Sequence, residues 1–183
     1  MASVFGHAMA SSAITSCFSI TKKDAFLLFF VAIGCSIIPD ADVLTFRFGI
    51  PYEHPFGHRG FTHSFFFAII LAFLFRWLFF FNTPRNSSRG WTIVLLLFLS
   101  TASHGILDAM TTGGRGIAFF APFDNTRYFL PWRVIRVSPM SASRFFSEWG
   151  IRVLFSEAFW IGIPSILILI FNYWRKSGKR GDE

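Results

Sequence analysis

The stretch WTIVLLLFLSTASHGILDAM, residues 91–110, carries only two ionisable side chains, His104 and Asp108. An apolar stretch of about 20 residues is long enough to cross the hydrocarbon of a bilayer as a helix. His104 and Asp108 are four residues apart, so a helix places them on one face, about one turn from each other. The stretch therefore predicts a membrane-spanning helix that ends in an imidazole and a carboxylate with the spacing of metal ligands.

Two further apolar stretches are long enough to cross a bilayer. Residues 61–81 predict a spanning helix interrupted only by Arg76, and residues 151–174 predict another one. The connection 111–150 contains repeated glycine and proline, so it predicts loops rather than a single helix.

The N-terminal part has shorter apolar segments. Residues 1–20 are only mildly apolar, while residues 25–38 are short for a full span and are followed by the helix-breaking Pro39. We expect these two segments to pair as a partly inserted hairpin. The predicted fold is all-α, a polytopic transmembrane helix bundle with a metal site at one membrane face, in which residues 1–174 form one membrane-embedded domain and residues 175–183 form a polar tail.

The composition favours a membrane location and argues against nucleic-acid binding. Of 183 residues, 53% are hydrophobic and 27 are phenylalanine, which is more apolar surface than a water-soluble domain of this size can bury. The net charge of +7 comes from basic residues in short connections and at the C-terminus, without a zinc-finger or RNA-binding pattern. We therefore expect membrane lipid, and not nucleic acid, as the partner of the chain.

Ionisable residues occur at alternate ends of consecutive apolar segments. His7 lies near the start of the first segment, and His104 and Asp108 lie near the end of the fourth. If consecutive segments run in opposite directions, these polar ends meet at one face of the membrane. Because ionisable groups in apolar helices are costly unless they pair or bind metal, this pattern predicts a metal site formed by His7, Asp40, Asp42, His58, His63, His104 and Asp108.

The predicted ligands are imidazoles and carboxylates, without cysteine. Such a set suits a divalent ion, zinc above all and otherwise manganese or iron, and it can leave positions open for water. Asp40 and Asp42 alternate in a stretch expected to be extended, so one can bind metal while the other orients a histidine or accepts a proton. Arg59 either clamps a phosphate or pairs with Asp40 or Asp42. The expected catalytic residues are Asp40, Asp42 and Arg59.

Three other polar residues have weaker links to the site. His54 is interpreted as an ordinary loop histidine, and Asp124 emerges on the same membrane face, where it either joins the site or stays in its loop. Arg76, inside a predicted span, is expected to pair with Glu157 or to extend toward water.

The distribution of basic residues predicts which side the site faces. The face that carries the cluster has as many basic residues as the opposite face, but they are all arginines, and every lysine lies on the face opposite the cluster. By the positive-inside rule the lysine-bearing face is cytoplasmic. We therefore expect the site to face away from the cytoplasm.

Taken in their order along the chain, the polar motifs resemble those of the YdjM-type family of bacterial inner-membrane proteins. Members of that family are described as metal-dependent hydrolases and as LexA-regulated or LexA-binding. The resemblance covers residues 7–124 and implies a multi-pass protein of the bacterial inner membrane. The matching elements are His7, PDAD at 39–42, HRGFTHS at 58–64, HGILD at 104–108 with Thr111 and Gly114 after it, and PF at 122–123.

That family is in turn distantly similar to zinc-dependent phospholipase C and P1-type nucleases, whose multi-zinc site includes a His-x-x-x-Asp element that His104 and Asp108 match. Those enzymes also use a later His-x-x-x-Glu pair and the amino terminus. No histidine follows His104, so one or two ions are expected rather than three.

The expected function is hydrolysis of a phosphoester, and the position of the site makes a lipid or lipid-linked substrate the expected one. The first alternative is a non-enzymatic metal-binding membrane protein in transport or stress regulation. The second is a protein-docking surface without metal.

Overall fold

The computed structural model describes residues 1–178 of the chain. Its α-helices are α1 (Val4–Ser16), α2 (Lys22–Ile37), α3 (Phe65–Phe79), α4 (Ser88–Ala109), α5 (Ala142–Phe145), α6 (Glu148–Glu157) and α7 (Ile163–Gly178). A 3₁₀ helix, Ile38–Phe48, continues α2, a 3₁₀ turn, Phe61–His63, precedes α3, and a π-helical segment, Ala158–Gly162, joins α6 to α7. The described residues form no β-strand and show two isolated bridges, which confirms the predicted all-α fold.

Three continuous helical stretches are long and apolar enough to cross a membrane: Lys23–Phe48, Ser88–Ala109 and Glu148–Gly178. The predicted span at residues 61–81 is shorter than expected, because its α-helix covers only the 15 residues Phe65–Phe79. The Ser64 side chain accepts a hydrogen bond from the Phe67 N–H and caps this helix.

The α-helix α2 ends at Ile37, just before Pro39 as predicted, but the extended stretch expected after it is absent. Pro39 lies in the first turn of a 3₁₀ helix, where a missing N–H removes no helical hydrogen bond. This 3₁₀ helix is eleven residues long, so Asp40 and Asp42 lie on a 3₁₀ helix and not in an extended stretch. The helical stretch Lys23–Phe48 is 26 residues long, which is the length of a full span rather than of a partly inserted segment.

Helix α4 lies at the centre of the bundle, packed against α1, α2 and α3. The main apolar core lies among α2, α3 and α4, where Leu28, Leu71 and Leu97 are buried. By contrast, Leu167 and Phe171 on α7 are exposed. Such large apolar side chains on the outer face of a spanning helix suit contact with lipid.

The ends of α1 and α7 meet at the side remote from the polar cluster. Asn172 donates a hydrogen bond to Ser16 Oγ at 3.1 Å, and Lys176 donates to the Ser16 carbonyl at 2.9 Å. Because α7 continues to Gly178, residues 175–178 of the predicted polar tail are helical. The rest of that tail lies outside the described residues.

Arg76 does not pair with Glu157, so the first of the two alternatives expected for it is wrong. Its guanidinium donates to the carbonyls of Thr83 and Pro84 at 3.1 and 3.0 Å, just beyond the end of α3. The cause is helix direction, since α3 carries Arg76 to the membrane face opposite Glu157.

Candidate metal centre

The alternation of helix direction brings seven polar side chains together, as the sequence pattern predicted. The start of α1 carries His7, the 3₁₀ helix after α2 carries two aspartates, the segment before α3 carries two histidines, and the last two turns of α4 carry the His-x-x-x-Asp pair. All seven residues are buried: His7, Asp40, Asp42, His58, His63, His104 and Asp108.

Four of these residues place one ligand atom each within 4.8 Å of the others: Asp40, His63, His104 and Asp108. His63 Nε2 lies 3.0 Å from His104 Nε2 and 3.7 Å from both Asp40 Oδ1 and Asp108 Oδ2. His104 Nε2 lies 3.3 Å from Asp40 Oδ1. Tetrahedral zinc with ligands at about 2.0–2.2 Å keeps those ligands about 3.3–3.6 Å apart, so these buried groups could hold one metal ion.

The two histidines of this set are anchored through their other ring nitrogens. His104 Nδ1 lies 2.7 Å from the Ser36 carbonyl, and His63 Nδ1 lies 3.2 Å from Asp42 Oδ2 and 3.1 Å from Thr62 Oγ1. An N–H at Nδ1 leaves the lone pair on Nε2, which faces the cluster. This is the arrangement in which protein histidines bind metals.

The close approach of α4 to the histidine-bearing turn depends on Gly105. A Cβ at this position would lie 2.8 Å from the carbonyl oxygen of His63. Glycine next to His104 therefore allows the two histidines to meet.

Asp40 and Asp42 have different surroundings. The Asp42 carboxylate accepts from the Arg59 N–H at 3.0 Å and from Thr62 Oγ1 at 2.6 Å, and it lies 2.6 Å from His58 Nδ1. Both of its oxygens are thus engaged, whereas neither oxygen of Asp40 has a hydrogen-bond partner. This geometry favours Asp40 as a metal ligand and Asp42 as the carboxylate that orients His58 and His63.

Unpaired buried polar atoms are concentrated in this cluster. An unsatisfied buried polar group costs about 1–3 kcal/mol, and a bound cation would satisfy those that carry lone pairs. Within the described part of the chain, the buried side-chain atoms without a hydrogen-bond partner are His7 Nδ1 and Nε2, both Asp40 oxygens, His58 Nε2, Arg59 Nε and Asp108 Oδ2.

His7 and His58 lie at the edges of the four-atom set. The His7 ring stacks on that of His104 with centroids 3.8 Å apart, and its Nε2 lies 3.5 Å from Asp108 Oδ1. His58 belongs to a second group with Asp42 and His63, whose ligand atoms also lie within 4.8 Å of one another. Both histidines therefore have an Nε2 atom free for a ligand or substrate.

The Arg59 side chain does not pair with Asp40 or Asp42, so one of the two roles expected for it is wrong and the phosphate clamp stays a prediction. Its Nε lies 3.2 Å from Asp108 Oδ2, and its other nitrogens donate to the Gly113 carbonyl at 2.8 Å and to Thr111 Oγ1 at 3.1 Å. The cause is the backbone of Arg59, whose φ of 65° is in the left-handed region and directs the side chain toward α4. Only its main-chain N–H reaches Asp42.

Sequence reasoning missed the contribution of the N-terminal residues and Glu157. The Ala2 N–H donates to Asp108 Oδ1 at 2.6 Å, and the Met1 amino nitrogen lies 3.8 Å from Asp108 Oδ2. Glu157 accepts hydrogen bonds from the main chain and the hydroxyl of Ser3, the residue that caps α1. An acidic residue within an apolar span was the available signal, since such a residue requires a partner.

The charge balance of the cluster favours a cation. Three buried carboxylates, those of Asp40, Asp42 and Asp108, surround one buried guanidinium, that of Arg59. Burial lowers the pKa of His63, but the neighbouring carboxylates of Asp40 and Asp42 outweigh burial and raise this pKa to about 9. For His58, burial outweighs the contact with Asp42 and lowers the pKa.

Asp124 and His54 lie apart from the cluster. Asp124 is exposed and accepts from the Thr126 N–H at 2.8 Å and from the Tyr128 hydroxyl at 3.1 Å. His54 is exposed and its Nδ1 accepts from the Phe56 N–H. Neither belongs to the groups of ligand atoms found in the described residues.

Comparison with known proteins agrees with the membrane architecture. The chain is 40% identical over 151 residues to the inner membrane protein YbcI of Escherichia coli (strain K12), which covers 81% of this chain and 84% of that protein. No solved structure matches the chain, and the expected distant similarity to phospholipase C and P1-type nucleases stays a prediction. The family model described as "YdjM inner membrane protein" matches residues 1–178. The chain is therefore a membrane protein that belongs to the YdjM inner membrane protein family.

Proposed function

We propose that the protein is a metal-dependent hydrolase that cleaves a phosphoester of a lipid or lipid-linked substrate at one face of the bacterial inner membrane. The observation that carries this proposal is the four-atom set of Asp40, His63, His104 and Asp108. Four separations between its ligand atoms, 3.0–3.7 Å, bracket those of a tetrahedral zinc site, and all four atoms lie within 4.8 Å of one another.

Zinc is the metal we assign, held by these four residues, with His7 and His58 as further nitrogen donors at the edges. Imidazole and carboxylate donors at these separations fit zinc, and manganese or iron are the alternatives. When bound, the ion would supply Lewis acidity and lower the pKa of a water molecule toward neutrality.

The side chains of the site perform the remaining tasks. Asp42 and the Ser36 carbonyl hold the histidine rings in place. Asp40, whose two oxygens both lack hydrogen-bond partners, can accept a proton from the attacking water while it remains beside the histidines. Arg59 balances the charge of Asp108 and is the nearest buried cation to the negative charge that develops on a phosphoester.

The position of the cluster supports a membrane-resident substrate. His104 and Asp108 occupy the last turns of the apolar helix α4, and Asp40 lies within the apolar stretch Lys23–Phe48. The site is therefore close to the boundary between lipid and water, where the phosphate of a lipid lies. A transport site would instead be expected near the middle of the membrane.

Burial of the ligands favours a second candidate, a non-enzymatic metal-binding membrane protein in transport or stress regulation. Asp40 is 7% exposed, His63 is 4% exposed, and His104 and Asp108 are fully buried. A site so enclosed can hold a structural ion, whereas hydrolysis requires that substrate reaches it.

Elemental analysis combined with turnover tests both candidates. Purified wild-type protein should contain zinc and hydrolyse phosphatidic acid or a chromogenic phosphodiester, and a chelator should abolish the activity. The His104→Ala variant should lose metal and activity, whereas His54→Ala, which removes an exposed histidine, should keep both. Metal without turnover would support the second candidate, and protein that binds no divalent metal would refute both.

A further inference from the structure

An apolar groove of about 270 Å³ lies between the start of α1 and residues 138–146. Val4, Phe5, Met140 and Phe146 line it, and each of them is at least 48% exposed. The Phe5 ring stacks on that of Phe145, with centroids 6.4 Å apart. This arrangement leaves the apolar groove open at the surface of the protein.

The inner wall of the groove is the chain segment that contacts the metal centre. Met1 and Ser3 line the groove, and between them the Ala2 N–H donates to Asp108. The opposite wall is tied to the same segment, because the Ser138 N–H donates to the Met1 carbonyl at 2.9 Å. The main chain of residues 1–3 therefore lies between the groove and the cluster.

The groove lies beside the start of an apolar helical stretch. Its lining ends at Phe146, and the apolar stretch Glu148–Gly178 begins two residues later. Glu157, which binds Ser3, lies nine residues after Glu148, or roughly 13 Å along the helix axis at 1.5 Å per residue. Ser3, at the inner wall of the groove, is therefore held by a residue inside this stretch.

Arginine side chains lie next to this apolar surface. A second cavity of about 450 Å³ shares Ser138 and Pro139 with the groove and is lined by Arg144 and Trp149. The Arg136 guanidinium lies 5.9 Å from the centre of the Trp149 ring. Cations and a tryptophan beside an apolar groove match the headgroup region of an anionic lipid.

We propose that this groove binds an acyl chain of an anionic phospholipid, with Arg144 and Arg136 at the adjoining cavity selecting the charged headgroup. A volume of about 270 Å³ suits part of a flexible acyl chain better than a helix of about 10 Å diameter. The inference rests on the proposed function, since it assigns the substrate of the metal centre to the lipids that carry long acyl chains.

Binding of tritiated dioleoyl phosphatidic acid to the full-length, delipidated protein in detergent tests this proposal without turnover. The wild-type protein should bind the lipid saturably. Val4→Trp and Ser141→Trp, which fill the groove from opposite walls, should each weaken binding by about tenfold, the loss expected from excluding two methylene groups from an apolar site. Leu167→Trp, on the outer face of α7, is the matched control and should bind normally.

Two further measurements assign the headgroup and separate this proposal from the previous one. Arg144→Gln should remove the preference for phosphatidic acid over phosphatidylcholine, while Arg85→Gln, at the opposite face, should keep it. Metal content is measured on the same samples, and unchanged metal in the groove variants shows that they fold. Absence of saturable binding, or normal binding by both groove variants, would overturn the groove assignment. Saturable, groove-dependent binding by a protein that takes up no divalent metal would support the groove while refuting the metal-dependent hydrolase.

Discussion

Replacing Asp42 by asparagine should weaken metal binding strongly although we assign Asp42 no contact with the metal. The Asp42 carboxylate accepts from the Arg59 N–H and the Thr62 hydroxyl, and it faces the Nδ1 atoms of His58 and His63. A carboxylate only accepts hydrogen bonds, so both rings carry their proton on Nδ1 and present a lone pair at Nε2. Asparagine has one donor group and one acceptor group, and its NH₂ must face at least one of these nitrogens.

The expected magnitude follows from the number of rings affected. The ring beside the amide NH₂ has to accept at Nδ1, which moves its proton to Nε2 and removes the lone pair that faces the cluster. Loss of one such orienting contact typically lowers metal affinity 10- to 100-fold. Because the amide turns one of the two rings, we expect a loss of about 10- to 100-fold, or about 1.4–2.8 kcal/mol of binding free energy.

Competition with a chromophoric chelator measures this loss directly on purified protein in detergent. Asp124→Asn is the matched control, because Asp124 is exposed and bonded only within its own loop, and it should bind zinc like the wild type. Circular dichroism of the metal-free proteins checks that Asp42→Asn keeps its helices. A folded Asp42→Asn protein with wild-type zinc affinity would show that the assigned orienting role is incorrect.

Three further predictions follow from the site and its supports. Gly114→Ala should destabilise the protein by about 1–3 kcal/mol in thermal unfolding, because Gly114 has a φ of +89° and a Cβ there would lie 2.1 Å from the Arg59 guanidinium. The control is Gly34→Ala, which should not destabilise the protein because its Cβ would meet nothing within 4 Å. Glu157→Ala should lower the free energy of unfolding by about 1–3 kcal/mol, because it leaves the donors of Ser3 without a buried acceptor, whereas Glu148→Ala at an exposed position should have little effect. Equal unfolding temperatures for the Glu157→Ala and wild-type proteins would contradict this role of Glu157. Zinc affinity should fall by about tenfold for each pH unit below about 9, because His63 is protonated below its raised pKa of about 9 and must lose that proton to bind metal. Competition titrations between neutral pH and a pH of about 9 that show constant affinity would exclude His63 as a ligand.

The meeting of the polar residues was predictable because it depends only on helix direction. His7, Asp40, His63 and His104 lie at alternate ends of consecutive apolar segments, and antiparallel packing is sufficient to bring them to one face. The Ser64 cap was predictable for a similar reason, since a serine preceding an apolar run is a local signal. The sequence predicted that one aspartate binds metal while the other orients a histidine. Which aspartate reaches the Nδ1 atoms of the histidines, and which the Nε2 atoms, depends on the register of the 3₁₀ helix.

Other features required three-dimensional information. An extended stretch was expected after Pro39, yet at the first turn of a 3₁₀ helix this proline removes no hydrogen bond, and local sequence does not distinguish the two cases. The partner of Arg59 depends on its left-handed backbone and on the space left by Gly114. The contact of Glu157 with Ser3 joins residues 154 positions apart, a distance over which sequence pattern carries no information about pairing.

This link between Ser3 and Glu157 has a consequence for the biogenesis of the protein. The ribosome releases the residues near His7 long before it synthesises Glu157, so during translation the first helix lacks the acceptor that fixes its start. The start of the first helix, with His7 and the Ala2 N–H that binds Asp108, is therefore fixed only once the last hydrophobic helix has been made. The cluster is accordingly completed on its N-terminal side after the segments that carry Asp40, His63, His104 and Asp108 have been synthesised.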